Sequence, residues 1–470
     1  MNENLLAQKD KTSIPVWLLA PSDLKELPDK FPKKYSSWIT SCDFKATSGE
    51  SLLIRDAEGN TDAVLLGKGA DQSREGGDAR QAMGVGKLAR SLPAGNYHLE
   101  NCPTDHQDLA ALSWLLGGYK FDRYLSGDKK KPAKNPTLAA PAGVHLDEVL
   151  NIAESITQTR DLINTPTNDL GPEELEQAFR SIGEQFKAKT SVIKGDDLLA
   201  GNFPMVHAVG RASSSAPRLL DMLWGNSGDP KITLVGKGVC FDTGGLNIKP
   251  GSSMATMKKD MGGAANVMGL ATMIMRAKLP VRLRVLVPAV ENSIAGNAFR
   301  PGDVLPSRKG ISVEIGNTDA EGRLILADAL AFADEQSPDY LIDMATLTGA
   351  ARVALGPELP PFYTYNDDFA ADLSKAGMRL NDPVWRMPLW SPYGQMLSSK
   401  IADINHISTG GFAGSITAAL FLQKFVEKAD IWAHFDIFAS VATEKPWALP
   451  GGEAQAIRTL FDVFSQKFAV

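Results

Sequence analysis

The chain has 470 residues, of which 43% are hydrophobic, and a formal net charge of −6. This length and composition are typical of a globular protein with two or three domains, and the acidic balance disfavours nucleic acid or an anionic membrane as partner. The three cysteines, Cys42, Cys102 and Cys240, have no CxxC spacing. This disfavours a disulfide framework and a structural zinc site, and it indicates a reducing compartment.

The apolar runs of the chain predict neither a secretion signal nor a membrane span. The first run, residues 16–20, is too short for the core of a signal peptide. No later run approaches the roughly 18 apolar residues that cross a bilayer. We therefore expect a cytoplasmic protein.

The chain divides by pattern into two domains. Residues 1–125 are predicted to form a small α/β domain, because short β-like runs alternate with helical stretches at residues 79–91 and 107–117. Residues 126–145 combine consecutive lysines with prolines and small residues, the composition of an exposed linker. Residues 146–470 are then the larger C-terminal domain.

The C-terminal domain alternates apolar strands with helical segments. Its strands are continuous apolar runs, which suits a sheet covered by helices on both faces. This order predicts an α/β fold with a doubly wound, mostly parallel sheet, whose polar strand ends converge along one edge. The predicted strands are residues 219–224, 232–235, 281–287, 340–345 and 432–437, and the predicted helices include residues 263–276 and 324–336.

The segment at residues 315–324, IGNTDAEGRL, places two carboxylates and a guanidinium between a predicted strand and a predicted helix. Taken alone, it has a structural interpretation, in which Asn317, Thr318 or Asp319 caps the helix and Glu321 complements its positive end. The functional interpretation is a site at a strand-to-helix turn, where open α/β sheets place their ligands.

Two further charged stretches, residues 235–249 and 257–265, favour the functional interpretation. They contain the blocks VGKG, FDTGG and DMGGAA, and NTDAEGRL follows at residues 317–324. In these blocks and their order the chain resembles the leucyl aminopeptidases, also called cytosol aminopeptidases, a family of two-metal peptidases. The resemblance covers residues 145–470.

Four carboxylates of these blocks would share one partly buried pocket, where unpaired ionised acids are costly. Two divalent cations would balance all four and keep them ionised. The alternative is an ion-pair network without metal, with Lys249 and Arg323 as its cations. The four carboxylates are those of Asp242, Asp260, Asp319 and Glu321.

The resemblance implies a role for each metal ligand. Asp242 and Glu321 would bridge two ions, and Asp319 would ligate the loosely held one. Lys237 and Asp260 would complete the tightly held site, together with the main-chain carbonyl of Asp319. Lys237 can ligate only as a neutral amine, so the ions must hold its pKa far below the free value of about 10.4.

The resemblance also implies two catalytic residues. Lys249 would stabilise the oxyanion that forms when a metal-activated hydroxide attacks the scissile carbonyl. Arg323 would hold a bicarbonate that acts as general base. The substrate's free α-amine would occupy one metal position, which restricts cleavage to the first peptide bond.

The predicted ligands are mostly hard oxygens, which permits manganese, magnesium, cobalt or zinc; the resemblance favours manganese or zinc. None of the six histidines has HExxH spacing. We predict that His434 is a core residue, that His406 belongs to a loop, and that Cys240 has a packing role.

The pocket for the first substrate side chain is implied at Met257, Thr346 and Gly349, which suits an apolar, leucine-like residue. The chain departs from the family at Phe438 and Ser440: residues 436–440 read DIFAS, where relatives usually have Asp-Ile-Ala-Gly. A bulkier wall at this position alters which side chains fit, although one methylene is worth only about 1–3 kcal/mol of discrimination.

The sequence thus predicts a metal-dependent aminopeptidase that releases N-terminal residues from peptides, and the resemblance implies a homohexamer. Two alternatives from other classes remain open. One is a different two-metal hydrolase on the same ligands, for example of phosphate esters. The other is an additional DNA-binding role, which the acidic balance disfavours.

Overall fold

The structure is a computed structural model that describes residues 5–6, 9–70, 77–127 and 136–468. The lysines of the predicted linker lie outside the described residues. Within the described ranges, no helix is both long enough and apolar enough to cross a membrane. The chain divides into two compact units: Met1–Thr157 with Met378–Asn381 and Thr443–Pro450, and Gln158–Gly377 with Asp382–Ala442 and Gly451–Val470.

Among its described residues the first unit has six strands and four helices, and a fifth helix begins in it. The strands are β1 Leu5–Leu6, β2 Ile14–Leu19, β3 Ser51–Arg55, β4 Thr61–Gly67, β5 Asn96–Leu99 and β6 Thr137–Ala139. The helices are α1 Ser36–Ser41, α2 Gly77–Met83, α3 Leu88–Ser91, α4 Gln107–Gly117 and α5 Leu146–Asn164, the last of which ends in the second unit. The strand β6 falls within the range predicted as a linker.

The six strands form one sheet in the order β1-β6-β5-β2-β4-β3, parallel except for the pair β3 and β4. Alternate residues of β2 face opposite sides, as the period of a strand requires. Val16 and Leu18 pack in one apolar cluster with Trp114 of α4, whereas Trp17 and Leu19 pack in another. Both faces of the small sheet are therefore covered.

The second unit contains the remaining strands and helices. The strands are β7 Lys189–Lys194, β8 Arg218–Trp224, β9 Lys231–Gly236, β10 Gly238–Asp242, β11 Arg282–Asn292, β12 Val304–Pro306, β13 Ser312–Glu314, β14 Tyr340–Ala345, β15 Pro361–Tyr363, β16 Trp385–Arg386, β17 Ile404–Asn405, β18 Ile431–Asp436, β19 Ser440–Val441 and β20 Gly451–Gly452. The helices are α6 Pro172–Gln185, α7 Asp197–Ala200, α8 Pro204–Gly210, α9 Gly251–Met254, α10 Gly262–Ala277, α11 Glu321–Asp334, α12 Gly349–Leu355, α13 Asp367–Arg379, α14 Gly414–Gln423 and α15 Ile457–Phe468.

The main sheet of this unit has nine strands in the order β16-β15-β18-β14-β9-β11-β8-β7, with β10 paired to β11. Its central strands β18, β14, β9 and β11 run parallel, and the pairs β11–β8, β8–β7 and β15–β18 are antiparallel. The predicted fold class, a small N-terminal α/β unit and a larger mostly parallel sheet, is confirmed.

Helices pack against both faces of the main sheet at β9. Val235 packs in the apolar cluster that contains α11. The next residue, Gly236, turns towards α10, and a Cβ atom there would lie 2.6 Å from the Cα of Ala264 and 2.5 Å from Val267. Only glycine permits this close approach of helix to strand, which explains the doubly wound arrangement at the centre of the sheet.

One strand next to the charged segment lies outside the main sheet. The strand before the charged segment, β13, belongs to a separate three-stranded sheet with β12 and β17, and not to the main sheet. The segment at residues 315–320 therefore reaches the main sheet from outside it. Only the helix that follows, α11, packs against β9, β11 and β14.

Candidate metal centre

Four separate elements supply the charged residues of the predicted metal site. Lys237 lies between β9 and β10, and Asp242 is the last residue of β10. Asp260 precedes α10, while Asp319 lies in a 3-10 turn and Glu321 is the first residue of α11. The structure therefore brings together residues that are up to 84 positions apart, at the carboxyl ends of β9 and β10.

The carboxylates of Asp242, Asp319 and Glu321 form a compact cluster. One oxygen from each lies within 4.8 Å of the other two, and Asp242 and Glu321 are buried. Asn292 donates a hydrogen bond of 2.8 Å to Asp242 Oδ1, and the amide of Gly244 donates another of 2.8 Å. These donors fix the Asp242 carboxylate and leave its Oδ2 facing the cluster.

Two lysines close the cluster at opposite ends. Lys237 Nζ is 3.0 Å from Asp260 Oδ1 and 3.0 Å from Glu321 Oε1. Lys249 Nζ is 2.8 Å from Asp242 Oδ2 and 2.6 Å from Asp319 Oδ1. The site thus has one end made by Lys237, Asp260 and Glu321, and another made by Lys249, Asp242 and Asp319.

The site strongly perturbs the ionisation of its members. Burial raises the pKa of Glu321 well above its ordinary value, and the neighbouring Asp242 adds to this shift. Burial likewise raises the pKa of Asp319. For Lys237, burial lowers the pKa, but the carboxylates of Asp260 and Glu321 outweigh it and the net pKa is raised. A neutral Lys237 therefore requires additional positive charge beside it.

The donor set fits divalent cations. Three buried oxygens, Asp260 Oδ2, Asp319 Oδ1 and Glu321 Oε1, have no hydrogen-bond donor among the described residues other than the lysine ammonium groups, which lie 2.8, 2.6 and 3.0 Å away. Four carboxylates also face only two ammonium groups, so negative charge remains in excess when all six are ionised. Carboxylate oxygens with an amine are suitable ligands for a hard or borderline dication, and such an ion would neutralise this excess.

Arg323 lies in the first turn of α11 and is 8% exposed. Its Nη1 donates a 2.7 Å hydrogen bond to the carbonyl of His406, while its buried Nε has no partner among the described residues. Burial lowers the pKa of Arg323 to about 10. The side chain is therefore anchored at one nitrogen and free to bind an anion at another.

His406 has a structural role that the sequence did not reveal beyond its place in a loop. It is fully buried; its Nδ1 accepts a 3.2 Å hydrogen bond from the amide of Gly316, and its Nε2 lies 2.9 Å from the carbonyl of Asn317. Burial lowers its pKa to about 4. His406 therefore fixes both Arg323 and the backbone that precedes Asp319.

Asn317 caps the 3-10 turn, because its side-chain oxygen accepts a hydrogen bond from the Asp319 amide. The helix cap and the acidic cluster, which were alternative interpretations of the sequence, therefore occur together.

The predicted pocket residues have different environments. The hydroxyl of Thr346 donates to Asp260 Oδ1 at 2.7 Å, and its carbonyl accepts from Lys237 at 3.2 Å. Thr346 is therefore a positioning residue for two predicted ligands. Met257 is half-buried in the turn before Asp260, and Gly349 is exposed at the start of α12.

The other predicted core residues are placed as follows. His434 is fully buried and its Nδ1 lies 2.5 Å from Asp343 Oδ1, although its Nε2 has no partner among the described residues. Cys240 is buried, and burial raises the pKa of its thiol. Asn292 was not predicted from sequence, because an asparagine at the end of an apolar strand has no distinguishing pattern.

Comparisons with known proteins identify the family of this chain. Residues 157–461 match the Cytosol aminopeptidase family, catalytic domain, and residues 14–136 match the M17 aminopeptidase, N-terminal domain. The chain is 35% identical to a "Probable cytosol aminopeptidase" of Syntrophotalea carbinolica, over 98% of this chain and 95% of that one. It is 38% identical to the protein of that name from Stenotrophomonas maltophilia, over 86% and 84%.

Two solved structures have the same fold. The Cytosol Aminopeptidase from Coxiella burnetii superposes with a TM-score of 0.92 at 43% identity, covering 99% of this chain and all of that one. The bottromycin maturation enzyme BotP in complex with Mn superposes with a TM-score of 0.86 at 30% identity, covering 97% and 99%. The chain therefore belongs to the cytosol aminopeptidase family and is a metal-dependent aminopeptidase, a hydrolase.

Proposed function

We propose that this aminopeptidase uses two divalent ions, manganese or zinc, held in the cluster of four carboxylates. The observation that carries the proposal is the two-ended arrangement of the cluster. Lys237 and Asp260 would hold one ion and Asp319 the other. Asp242 and Glu321 lie between the two ends and would bridge both. A pair of ions also supplies the positive charge that a neutral Lys237 requires.

Each ion, when bound, would lower the pKa of water and polarise the scissile carbonyl. Lys249 keeps its positive charge, since its neighbouring carboxylates hold its pKa above the ordinary value against the effect of burial. Its ammonium would stabilise the negative charge that develops on the carbonyl oxygen during attack. Arg323 would hold the bicarbonate that supplies a general base, because its buried Nε has no protein partner among the described residues.

We infer that the substrate's first side chain lies against Met257 and the open space beside Gly349, where a Cβ atom would meet only Arg352, at 3.9 Å. Met257 contributes apolar surface, which suits a leucine-like residue. The α-amine would lie at the metal end of this pocket. Binding of that amine explains cleavage of the first peptide bond alone.

The test is metal analysis beside steady-state rates for Glu321→Ala and Lys249→Ala. Glu321→Ala should lose both ions and all turnover of leucine p-nitroanilide. Lys249→Ala should keep its metal content and lose about 100-fold in kcat. Glu335→Ala, which removes an exposed carboxylate just beyond the other end of α11, is the matched control and should behave as wild type.

Two results would overturn this assignment. One is normal activity in either active-site variant. The other is hydrolysis of p-nitrophenyl phosphate without any hydrolysis of aminoacyl anilides, which would indicate a phosphoesterase on the same ligands.

We further propose a cytoplasmic homohexamer, on the strength of the resemblance to cytosol aminopeptidases. Several large apolar side chains are exposed in the second unit, among them Val353 at 90% and Phe412 at 86%. Burial of such side chains between subunits would favour assembly. Light scattering should give about six times the monomer mass, and a monomer at micromolar concentration would contradict the proposal.

A further inference from the structure

Two positive side chains lie against the ring of Phe438, the residue at which the sequence departs from its family. The ammonium of Lys259 is 4.6 Å from the ring centroid, and the guanidinium carbon of Arg352 is 5.2 Å from it. Lys259 is only 5% exposed. The three residues come from the turn before α10, from α12 and from the segment after β18, so the tertiary fold assembles this group.

Neither cation forms an ion pair within 4.0 Å among the residues that the structure describes, and the carboxylates of Asp260 and Asp436 act on Lys259 only from a longer distance. Lys259 Nζ makes neither a hydrogen bond nor a salt bridge within those residues, and Arg352 Nη1 is buried without a hydrogen-bond partner. A ring face offsets only part of the free energy that a desolvated cation loses. A buried charge is ordinarily paired at close range, and here no carboxylate of the described residues lies within ion-pair distance of either cation.

Both cations adjoin the proposed pocket for the first substrate side chain. Lys259 closes the same 3-10 turn that begins at Met257. Arg352 lies one helical turn after Gly349, and its Nη2 is 3.9 Å from the position that a Cβ atom of Gly349 would take. Asp260, a predicted metal ligand, directly follows Lys259, whose ammonium contacts the Phe438 ring.

We propose that Lys259 and Arg352 recognise a carboxylate at the end of the first substrate side chain, so that the enzyme also accepts peptides with N-terminal glutamate. This inference rests on the aminopeptidase function proposed above. The methylenes of glutamate would lie against Met257 and Phe438, as those of leucine do. The carboxylate would then provide the counter-ion that the two cations lack, with the bidentate geometry that a guanidinium favours.

Comparing a glutamate substrate with a glutamine substrate isolates the effect of the side-chain charge, because the two side chains have nearly the same size and shape. A site built around an unpaired charge discriminates strongly against a neutral isostere. Wild type should therefore hydrolyse glutamate p-nitroanilide with a kcat/KM about tenfold or more above that of glutamine p-nitroanilide. Anilide substrates carry no C-terminal carboxylate, so this ratio reports the side chain alone.

The informative variants are Lys259→Met and Arg352→Leu, which keep an apolar stem and remove the charge. Each should lower the glutamate-to-glutamine ratio about tenfold, mainly through KM for the glutamate substrate, and the ratio cancels any effect on the part of the pocket that both substrates share. Lys258→Met is the matched control. It removes the same charge from the adjacent residue, whose ammonium instead donates to the carbonyl of Asn164 at 2.7 Å, and it should leave the ratio unchanged.

The outcomes separate this inference from the function on which it rests. If the wild-type protein hydrolysed no aminoacyl anilide, the aminopeptidase mechanism would be overturned. Hydrolysis of the leucine substrate with equal rates for glutamate and glutamine would overturn the inference alone. A second result would also overturn the inference. In it, the glutamate-to-glutamine ratio is unity, while wild type prefers leucyl-leucine over its C-terminal amide and Lys259→Met abolishes that preference. The two cations would then bind the C-terminal carboxylate of a dipeptide.

Discussion

Gly322 packs so closely against Lys237 that a Cβ atom at Gly322 would lie 2.5 Å from Lys237 Cε and 2.7 Å from its Nζ. Lys237 has little room to yield, because Asp260, Glu321 and the Thr346 carbonyl surround its ammonium. We expect Gly322→Ala to displace this amine and to lower metal affinity about tenfold or more. Inductively coupled plasma analysis after dialysis against graded chelator measures the effect.

The control for Gly322→Ala is the thermal stability of the metal-free protein. Alanine is favourable inside a helix, by up to about 1 kcal/mol over glycine, so the thermal unfolding temperature of the metal-free protein should change little. Unaltered metal affinity in a folded Gly322→Ala protein would show that Lys237 moves aside without consequence. That result would also count against Lys237 as a ligand.

Variants of Thr346 can distinguish two roles for this residue, which are orienting the ligand Asp260 and lining the substrate pocket. Its hydroxyl donates to Asp260 Oδ1, so Thr346→Val should weaken metal binding about tenfold, in line with the loss of a group that orients a ligand. Thr346→Ser retains the hydroxyl and should restore binding. If Thr346→Val instead alters KM among leucine, valine and alanine substrates at full metal content, the residue acts as a pocket wall, as the resemblance implied.

Local patterns predicted most of the secondary structure, because apolar periodicity and strand length are properties of short segments. The strand Tyr340–Ala345 has the predicted bounds. The helix of the charged segment begins at Glu321, three residues before its apolar pattern starts, because its first turn faces the acidic cluster. The pairing of β13 with β17 joins residues about 90 positions apart, and no local pattern specifies such a partner.

The candidate site was predicted as far as its motifs extend. The blocks around Asp242, Asp260 and Glu321 resemble family motifs, and the structure places these side chains close together. Their role as metal ligands stays a prediction. His406 and Arg352 gain their roles only from neighbours that are distant in sequence, namely Gly316 for His406 and Phe438 for Arg352. A single histidine or arginine in a polar stretch gives no sign of such contacts before the fold is known.

The lowered pKa of buried His406 leads us to expect that the protein loses stability in mild acid. Burial and the nearby Arg323 lower its pKa to about 4, whereas an unfolded histidine titrates near about 6.5. The unfolded state therefore binds a proton first as pH falls, and the stability contributed above pH of about 6.5 is lost as pH falls towards about 4, in total about 3 kcal/mol. Urea unfolding with chelator present should show this loss.

The variant His406→Gln isolates the histidine contribution to the pH dependence. Glutamine does not titrate, so the stability difference between wild type and variant should shrink by about 2 kcal/mol between about pH 7.5 and about pH 5. A difference that stays constant across this range would mean that His406 has the same pKa in the folded and unfolded states. Acid sensitivity would then arise from the carboxylates.

Asp328 predicts a loss of stability that is separate from catalysis. Its fully buried carboxylate accepts hydrogen bonds from three backbone amides, those of Met205 and Val206 at the start of α8 and that of Arg308. Asp328→Ala leaves these donors unpaired, and at about 1–3 kcal/mol for each buried unsatisfied group we expect a loss of at least about 3 kcal/mol in urea unfolding. Asp328→Asn keeps one acceptor oxygen and should lose less, while metal content and kcat of the folded protein stay at wild-type values in both. Equal stability of the alanine variant and wild type would show that water replaces the carboxylate.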